Sequence, residues 1–275
     1  MKLAVYSRND SALADSRFRT MSEMLGSAQY RLYRIRSAED ISEGTDMVLS
    51  VGGDGTFLSA SKRVGKSGIP VLGINMGRLG FLSEYSPEEA CEALLEGSYT
   101  LEDRALLETT VHGDVIGTDS SFWPYTLNEI SVLRGGASIL GVDVSLDGNP
   151  LPTYWADGLL VSTSSGSTAY SLSVGGPICV PDAKVIIIAP IAPHNLNVRP
   201  LVVPDSTVVS ISMRSRDGSV AMSMDNRNVR LSSDARLEVK VAQFSLKRVR
   251  LEKSSFIKAL TTKLFWGEDI RNGGI

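Results

Sequence analysis

The chain has little of what metal centres, secreted scaffolds and membrane proteins are built from. Its 275 residues include only two cysteines, Cys91 and Cys179, and two histidines, His112 and His194. Two thiols so far apart make neither a zinc site nor a disulfide framework, so a reducing compartment, the cytoplasm, is the expected location. Two histidines do not support a histidine-built metal centre. His112 reads as a surface strand position and His194 as a structural loop residue. The longest strongly apolar run, residues 185–189, is far too short to span a bilayer. The opening Met1-Lys2-Leu3-Ala4-Val5-Tyr6 runs straight into a strand pattern rather than a signal peptide. A net charge of −3 gives no electrostatic reason to expect nucleic acid or an anionic membrane as partner. There is no internal repeat or low-complexity stretch.

What remains is ordinary globular composition, 43% hydrophobic and 21% charged, long enough for one large or two modest domains. Residues 1–103 alternate strand and helix. Strands are expected at 3–6, 30–35, 47–51 and 70–74. Helices are expected at 12–25, closed by Gly26, in a short acidic stretch after residue 35, and at 57–64. Ser86-Pro87-Glu88-Glu89 is a capping box with proline at the first helical position, opening a helix that Gly97 ends. This order predicts an α/β domain with a Rossmann-like, mostly parallel sheet.

From 104 to 253 the pattern changes to short alternating strands. Leu140, Val142, Val144 and Leu146 form one such face before an Asp147-Gly148-Asn149-Pro150 turn. Val209, Ile211 and Met213, then Val220, Met222 and Met224, then Leu237, Val239 and Val241 repeat it. An antiparallel, β-sandwich-like domain of two packed sheets is expected. Residues 254–275 read as a helix and tail returning to the first domain.

The chain turns on Val51-Gly52-Gly53-Asp54-Gly55-Thr56, between an apolar strand and a helix. Glycines there let backbone approach a ligand and offer amides to an anion, which makes Gly52, Gly53 and Thr56 the candidate phosphate binders. A carboxylate inside a phosphate cradle repels phosphate, unless it meets a metal or takes a proton from a hydroxyl nucleophile. The bland reading is a tight turn with a hydrophilic tip, and the flanking strand and helix weigh against it. Three other motifs fail on inspection. Gly65-Lys66-Ser67 has Ala60 where a Walker loop needs glycine, Gly73, Gly77 and Gly80 lack dinucleotide spacing, and Ser165-Gly166-Ser167 has Thr163 where a hydrolase elbow needs glycine.

Two polar clusters also stand out. Asn128-Glu129 interrupts the apolar stretch 125–133, and a buried amide and carboxylate need partners. Together they suit the vicinal hydroxyls of a ribose. Residues 155–177 run from Asp157 through hydroxyl residues into a short helix near Ser167. Its N-terminus would favour an anion, and Tyr170 could stack on a ring.

In combination these stretches resemble the NAD kinases, ATP- or polyphosphate-dependent NAD 2′-phosphotransferases. The matching motifs are Gly52-Gly53-Asp54-Gly55-Thr56, Asn75 to Phe81, Asn128-Glu129 and Asp157 through Pro177, in the family's order over nearly the whole chain. The resemblance implies NAD held between the two domains of a homodimer or homotetramer, with ATP and Mg²⁺ supplying the phosphoryl group. It implies Asp54 as the catalytic base, with Gly55 beside it and Phe81 near the adenine. Asn128 and Glu129 would hold the ribose. Asp157, Thr168, Ala169, Tyr170, Ser171, Leu172, Ser173 and Ala192 would line the dinucleotide site. Where the family often has Asp-Gly-Gln this chain has Asp225-Asn226-Arg227, and an arginine there could contact a phosphate. No residue is assigned as a metal ligand. Two alternatives remain open, a lipid or sphingoid kinase sharing the glycine turn and a non-catalytic dinucleotide-binding regulator.

Overall fold

The computed structural model describes residues 1–77, 80–116 and 122–267. The chain forms two compact units, one from residues 1–103 together with the segment that begins at Leu246, the other from Arg104–Ser245.

In the first unit β1 (Lys2–Tyr6) pairs in parallel with β2 (Arg31–Arg34) on one side and β3 (Met47–Val51) on the other. β4 (Val71–Ile74) lies beyond β3, followed by the strand Leu246–Leu251 and then β5 (Tyr99–Arg104). Every residue of β3 is buried, because a parallel strand with both faces covered must be apolar throughout. Its core partners include Phe18, Met21 and Leu25 of α2 (Ser16–Ser27) and Ala90, Cys91 and Leu94 of α4 (Pro87–Glu96). The capping box at Ser86 forms in both directions, and Gly97 takes the left-handed conformation that ends α4.

Three local expectations are corrected. The single helix over 12–25 is two helices, α1 (Asp10–Ala14) and α2, because the Asp15 side chain accepts the Arg17 amide and starts a new N-terminus. α2 also runs past Gly26, and Gln29 takes the positive φ that follows it. The acidic stretch after residue 35 is a turn, in which the Asp40 carboxylate accepts the amides of Arg36 and Ser37 at 2.7 and 2.8 Å. The β domain expected to reach residue 253 ends at Ser245. Leu246–Leu251 instead joins the first sheet beside β4. Arg248, buried within that strand, is paired with Glu84 at 3.2 Å and Glu102 at 3.7 Å. The helix Phe256–Leu264 follows in the same unit.

The second unit is two antiparallel sheets. One carries Leu140–Leu146, Val209–Arg214, Arg236–Val241 and Leu107–His112 side by side, and the other Val185–Ile191, Gly158–Thr163, Glu129–Arg134 and Ser219–Met224. Their alternate residues meet in one core: Leu140, Val142, Ile211 and Val239 from the first, Ile130, Val132, Val161 and Met222 from the second. This is the expected α/β plus all-β architecture. No helix among the described residues is long and apolar enough to cross a membrane.

Candidate active site

In the first unit the glycine turn leads from β3 into α3 (Asp54–Val64), with Gly53 as N-cap. Gly52 has φ 151°, and a Cβ there would fall 2.4 Å from the Thr56 hydroxyl packed beneath it. The expectation that Gly52 and Thr56 join Gly53 in offering amides to a phosphate is corrected by their partners. The Gly52 amide donates to Ile74 across the sheet at 2.9 Å, and the Thr56 amide to Gly53 at 2.8 Å. Thr56 is moreover buried, so neither its amide nor its hydroxyl is offered to a ligand. Among the described residues the amides of Gly53 and Asp54 have no protein acceptor, as the first turn of a helix leaves them.

Asp54 itself is held from the neighbouring loop. Its Oδ2 accepts the Phe81 amide at 2.9 Å, and its Oδ1 the Leu82 and Ser83 amides at 3.0 and 2.8 Å. Gly80 lies against the same carboxylate, where a Cβ would be 1.9 Å from Oδ1. The loop is backed by the C-terminal helix. Phe256 stacks obliquely on Phe81 with ring centroids 6.4 Å apart. The buried Lys263 ammonium donates to the Gly80 carbonyl, sits 5.0 Å from the Phe81 ring centre and 3.4 Å from Glu84. Burial lowers the Lys263 pKa from its usual value, against the opposing pull of Glu84. Of the motif Asn75 to Phe81, residues 78 and 79 lie outside the described residues. Gly80 lies within the motif Asn75 to Phe81, whereas nothing local in the sequence marks Lys263 as belonging to this constellation.

In the second unit the structure joins Asn128-Glu129 to the hydroxyl cluster. The Asn128 carbonyl accepts the Ser162 hydroxyl at 3.1 Å and the Thr163 amide at 2.9 Å, and the Tyr170 amide lies on the Glu129 carboxylate. Asn128 Oδ1 and Glu129 Oε2 are buried and accept no hydrogen bond among the described residues. Burial, then the proximity of Asp225, raises the Glu129 pKa to about 8. Asp225 is pushed up as well, first by burial.

Asp225 and Arg227 are half-buried and bonded to backbone. The Asp225 carboxylate accepts the amides of Leu127, Asn128 and Glu129 at 2.9, 2.8 and 3.3 Å. The Arg227 guanidinium donates to the carbonyls of Trp123 at 2.5 Å and Tyr125 at 2.6 Å. Both side chains therefore brace the 123–129 backbone. One further residue of the expected set turns inward, and one expected helix is shorter. Ser171 is buried beneath Gly176, whose Cβ would meet its hydroxyl at 2.3 Å. The helix expected near Ser167 is a 3₁₀ turn, Ser165–Thr168, and then only Tyr170–Ser173, too short to carry an anion site at its N-terminus.

Thr168, Ala169 and Leu172 are half-buried, and Tyr170 and Ser173 are exposed. Asp157 pairs with Arg134 at 2.8 Å, and its amide donates to Ile191, next to Ala192 with its positive φ of 47°. Asp157 and Ala192 are thus neighbours. His112 is exposed at the end of its strand, and the His194 amide donates to Trp155.

The ATP-NAD kinase N-terminal domain family matches residues 5–99 and the ATP-NAD kinase C-terminal domain family residues 127–251. An NAD kinase of Bacteroides fragilis is 44% identical over 230 residues, 82% of this chain and 78% of that protein. One of Flavobacterium johnsoniae is 38% identical over 272 residues, 97% of this chain and 91% of that protein. The fold resembles yeast NADH kinase complexed with NADH, with TM-score 0.84 at 24% identity over 98% of this chain and 89% of that one. It also resembles an Archaeoglobus fulgidus NAD kinase in complex with ATP, with TM-score 0.75 at 26% identity over 92% of this chain and 95% of that one. By sequence over most of its length, and by the fold of both units, this chain belongs to the NAD kinase family.

Proposed function

We propose that the protein is an NAD kinase that transfers the γ-phosphoryl group of ATP to the 2′-hydroxyl of the adenosine ribose of NAD. The observation that carries the acceptor side is the pair of buried, unpartnered acceptors, Asn128 Oδ1 and Glu129 Oε2. A ribose offers two adjacent O–H donors, and unpaired buried acceptors are costly unless a ligand satisfies them. Asp225 and Arg227 hold the loop that presents them. Tyr170, a residue 39% exposed, supports a stacking role, and Thr168, Ala169, Ser173, Asp157 and Ala192 complete the dinucleotide contacts.

In the reaction the 2′-oxygen bonds to the γ-phosphorus while the bond from that phosphorus to the β,γ-bridging oxygen breaks. ADP leaves, and the hydroxyl proton passes to Asp54. Such transfers are loose at the transition state, so positioning and charge neutralisation outweigh covalent help. The three amides on Asp54 occupy part of its acceptor capacity and fix its plane, leaving a lone pair on Oδ2 for that proton. The Gly53 and Asp54 amides meet the donor phosphate. Among the described residues no three His, Cys, Asp or Glu side chains cluster as a metal cage. The divalent cation is assigned to the ATP substrate, whose phosphate charge it neutralises. A cytoplasmic homodimer or homotetramer is the expected form.

The test is incubation with Mg-ATP and NAD, with NADP read by an NADP-specific dehydrogenase. NADP formation is the expected result. Measurable NAD binding without product from either ATP or polyphosphate refutes the kinase reading and leaves a dinucleotide-binding regulator.

A further inference from the structure

A lysine in the last turn of a surface helix ordinarily keeps its ammonium in water, where it complements the helix dipole. Lys263, in the last turn of Phe256–Leu264, does the opposite. Its side chain is only 7% exposed, and burial lowers its pKa from the usual value. The groups assigned to phosphoryl transfer do not include it. A charge taken out of water needs strong partners, and their identity says what the residue holds.

On one side the partner is an acid tied to the sheet. The ammonium lies 3.4 Å from Glu84, which also meets the buried Arg248 of the strand Leu246–Leu251 at 3.2 Å. The segment ahead of the helix is clasped to the next residue of the same loop. There the Tyr85 hydroxyl shares a hydrogen bond with Ser254 at 2.9 Å and accepts the Leu251 amide at 3.3 Å. The lysine is therefore anchored within the first unit.

On the other side is the Gly80 carbonyl, which accepts a hydrogen bond from the ammonium. The N–H of that same peptide unit is Phe81's, and it donates to Asp54 Oδ2 at 2.9 Å. A trans peptide is planar and points its C=O and N–H in opposite directions. Ammonium, peptide and carboxylate thus form one chain, with a full charge at each end. The bonds of such a chain polarise and strengthen one another. Asp54 is accordingly among the charges that favour the protonated lysine, after Glu84.

The peptide needs this restraint. Position 80 has no room for a side chain, because a Cβ would fall 1.9 Å from Asp54 Oδ1. Glycine permits that approach but also frees the backbone, so no side chain of its own fixes the plane that aims the Phe81 amide. The Gly80 amide adds only a hydrogen bond to the Ser83 carbonyl at 3.3 Å. Lys263 supplies the clamp, with the Phe81 ring centre 5.0 Å from its nitrogen.

We propose that Lys263 is a positioning residue for the phosphoryl transfer: through the Gly80–Phe81 peptide it keeps the amides of residues 81–83 on the Asp54 carboxylate and so keeps Oδ2 aimed at the acceptor hydroxyl. It acts through Asp54 and not on a substrate. The proposal rests on the reading of Asp54 as the base of a kinase.

The test has two arms. The first needs no turnover: hydrogen exchange of the intact protein, wild type and Lys263→Met, read by mass spectrometry. Methionine keeps the length of the stem, and Glu84 keeps Arg248 as its partner. Peptides spanning residues 81–83 should exchange faster by about tenfold or more in the variant. Peptides spanning residues 127–129, whose amides rest on Asp225, should not change. Unchanged protection at 81–83, or a loss spread evenly over the protein, overturns the proposal.

The second arm is a double-variant cycle in NADP formation with Lys263→Met, Asp54→Asn and the two combined. Lys263→Met should lower kcat about 10–100-fold while KM for NAD stays within about twofold. Lys263→Arg, which restores a buried charge and donor, should recover part of the loss. In the Asp54→Asn background the methionine should cost less than about threefold, because the group it serves is already gone. Full multiplication of the two losses, a raised KM at unchanged kcat, or an unaffected kcat overturns the proposal. Should Lys263→Met not fold, Lys263→Gln enters both arms under the same criteria. If wild type forms no NADP, the kinase reading fails, and the exchange arm still decides whether Lys263 holds the loop.

Discussion

Replacing Glu129 with glutamine removes a buried ionisable group while keeping its shape and an acceptor for the Tyr170 amide. The carboxyl has an ordinary value of 4.5 and is raised to about 8 by burial and by Asp225. The folded protein thus holds this proton more tightly than the unfolded chain does. The stability it lends is fully present below pH 4.5, is lost as pH rises towards about 8, and changes no further above that. At ~1.4 kcal/mol per decade of proton affinity, the whole loss has a ceiling of about 5 kcal/mol. Between pH 5.5 and 8.5 the single-site share is about 3 kcal/mol, and less where Asp225 releases part of the strain by titrating alongside. Urea melts at those two pH values, on wild type and Glu129→Gln, measure it. Wild type should lose more stability across the interval than the variant by roughly 2–3 kcal/mol. Equal losses would show that Glu129 ionises normally, and the argument for a buried, ligand-seeking carboxyl would fall.

Three further substitutions test the rest of the site. Asp54→Asn should lower turnover by roughly 10²–10⁴ while NAD still binds by calorimetry, and near-wild-type turnover would remove Asp54 from the base role. Gly80→Ala would place a methyl 1.9 Å from Asp54 Oδ1. The forced shift should cost about 1–3 kcal/mol in a thermal melt and depress kcat, whereas an unchanged enzyme would deny the close approach. Asp225→Ala strips the carboxylate from three amides and should destabilise by about 3–5 kcal/mol with weaker NAD binding. A loss below about 1 kcal/mol would mean the brace is not structural.

How far the sequence reached depended on the range of the interaction. The capping box at Ser86, the buried run of β3 and the alternation of Leu140, Val142 and Val144 are written in adjacent residues, and they formed as read. Asp15 restarting a helix and Asp40 folding a turn are also local, but there a side chain competes with the backbone pattern and composition does not reveal the winner. Leu246–Leu251 alternates like its predecessors. Only its parallel partner β4, some 175 residues earlier, decides that it belongs to the first sheet.

By itself the sequence determined the strand–glycine turn–helix unit, the polar pair at Asn128-Glu129 and their joint resemblance to one family, because each rests on residue type at short spacing. The tertiary structure decided which groups are free to act. It gave the Gly52 and Thr56 amides to protein acceptors, set Asp54 beneath the amides of residues 81–83, and tied Asp225 and Arg227 to the 123–129 backbone. A hydrogen-bonding group is available to a ligand only if no other part of the chain has reached it first. That depends on partners dozens of residues away, which no reading of neighbours can supply.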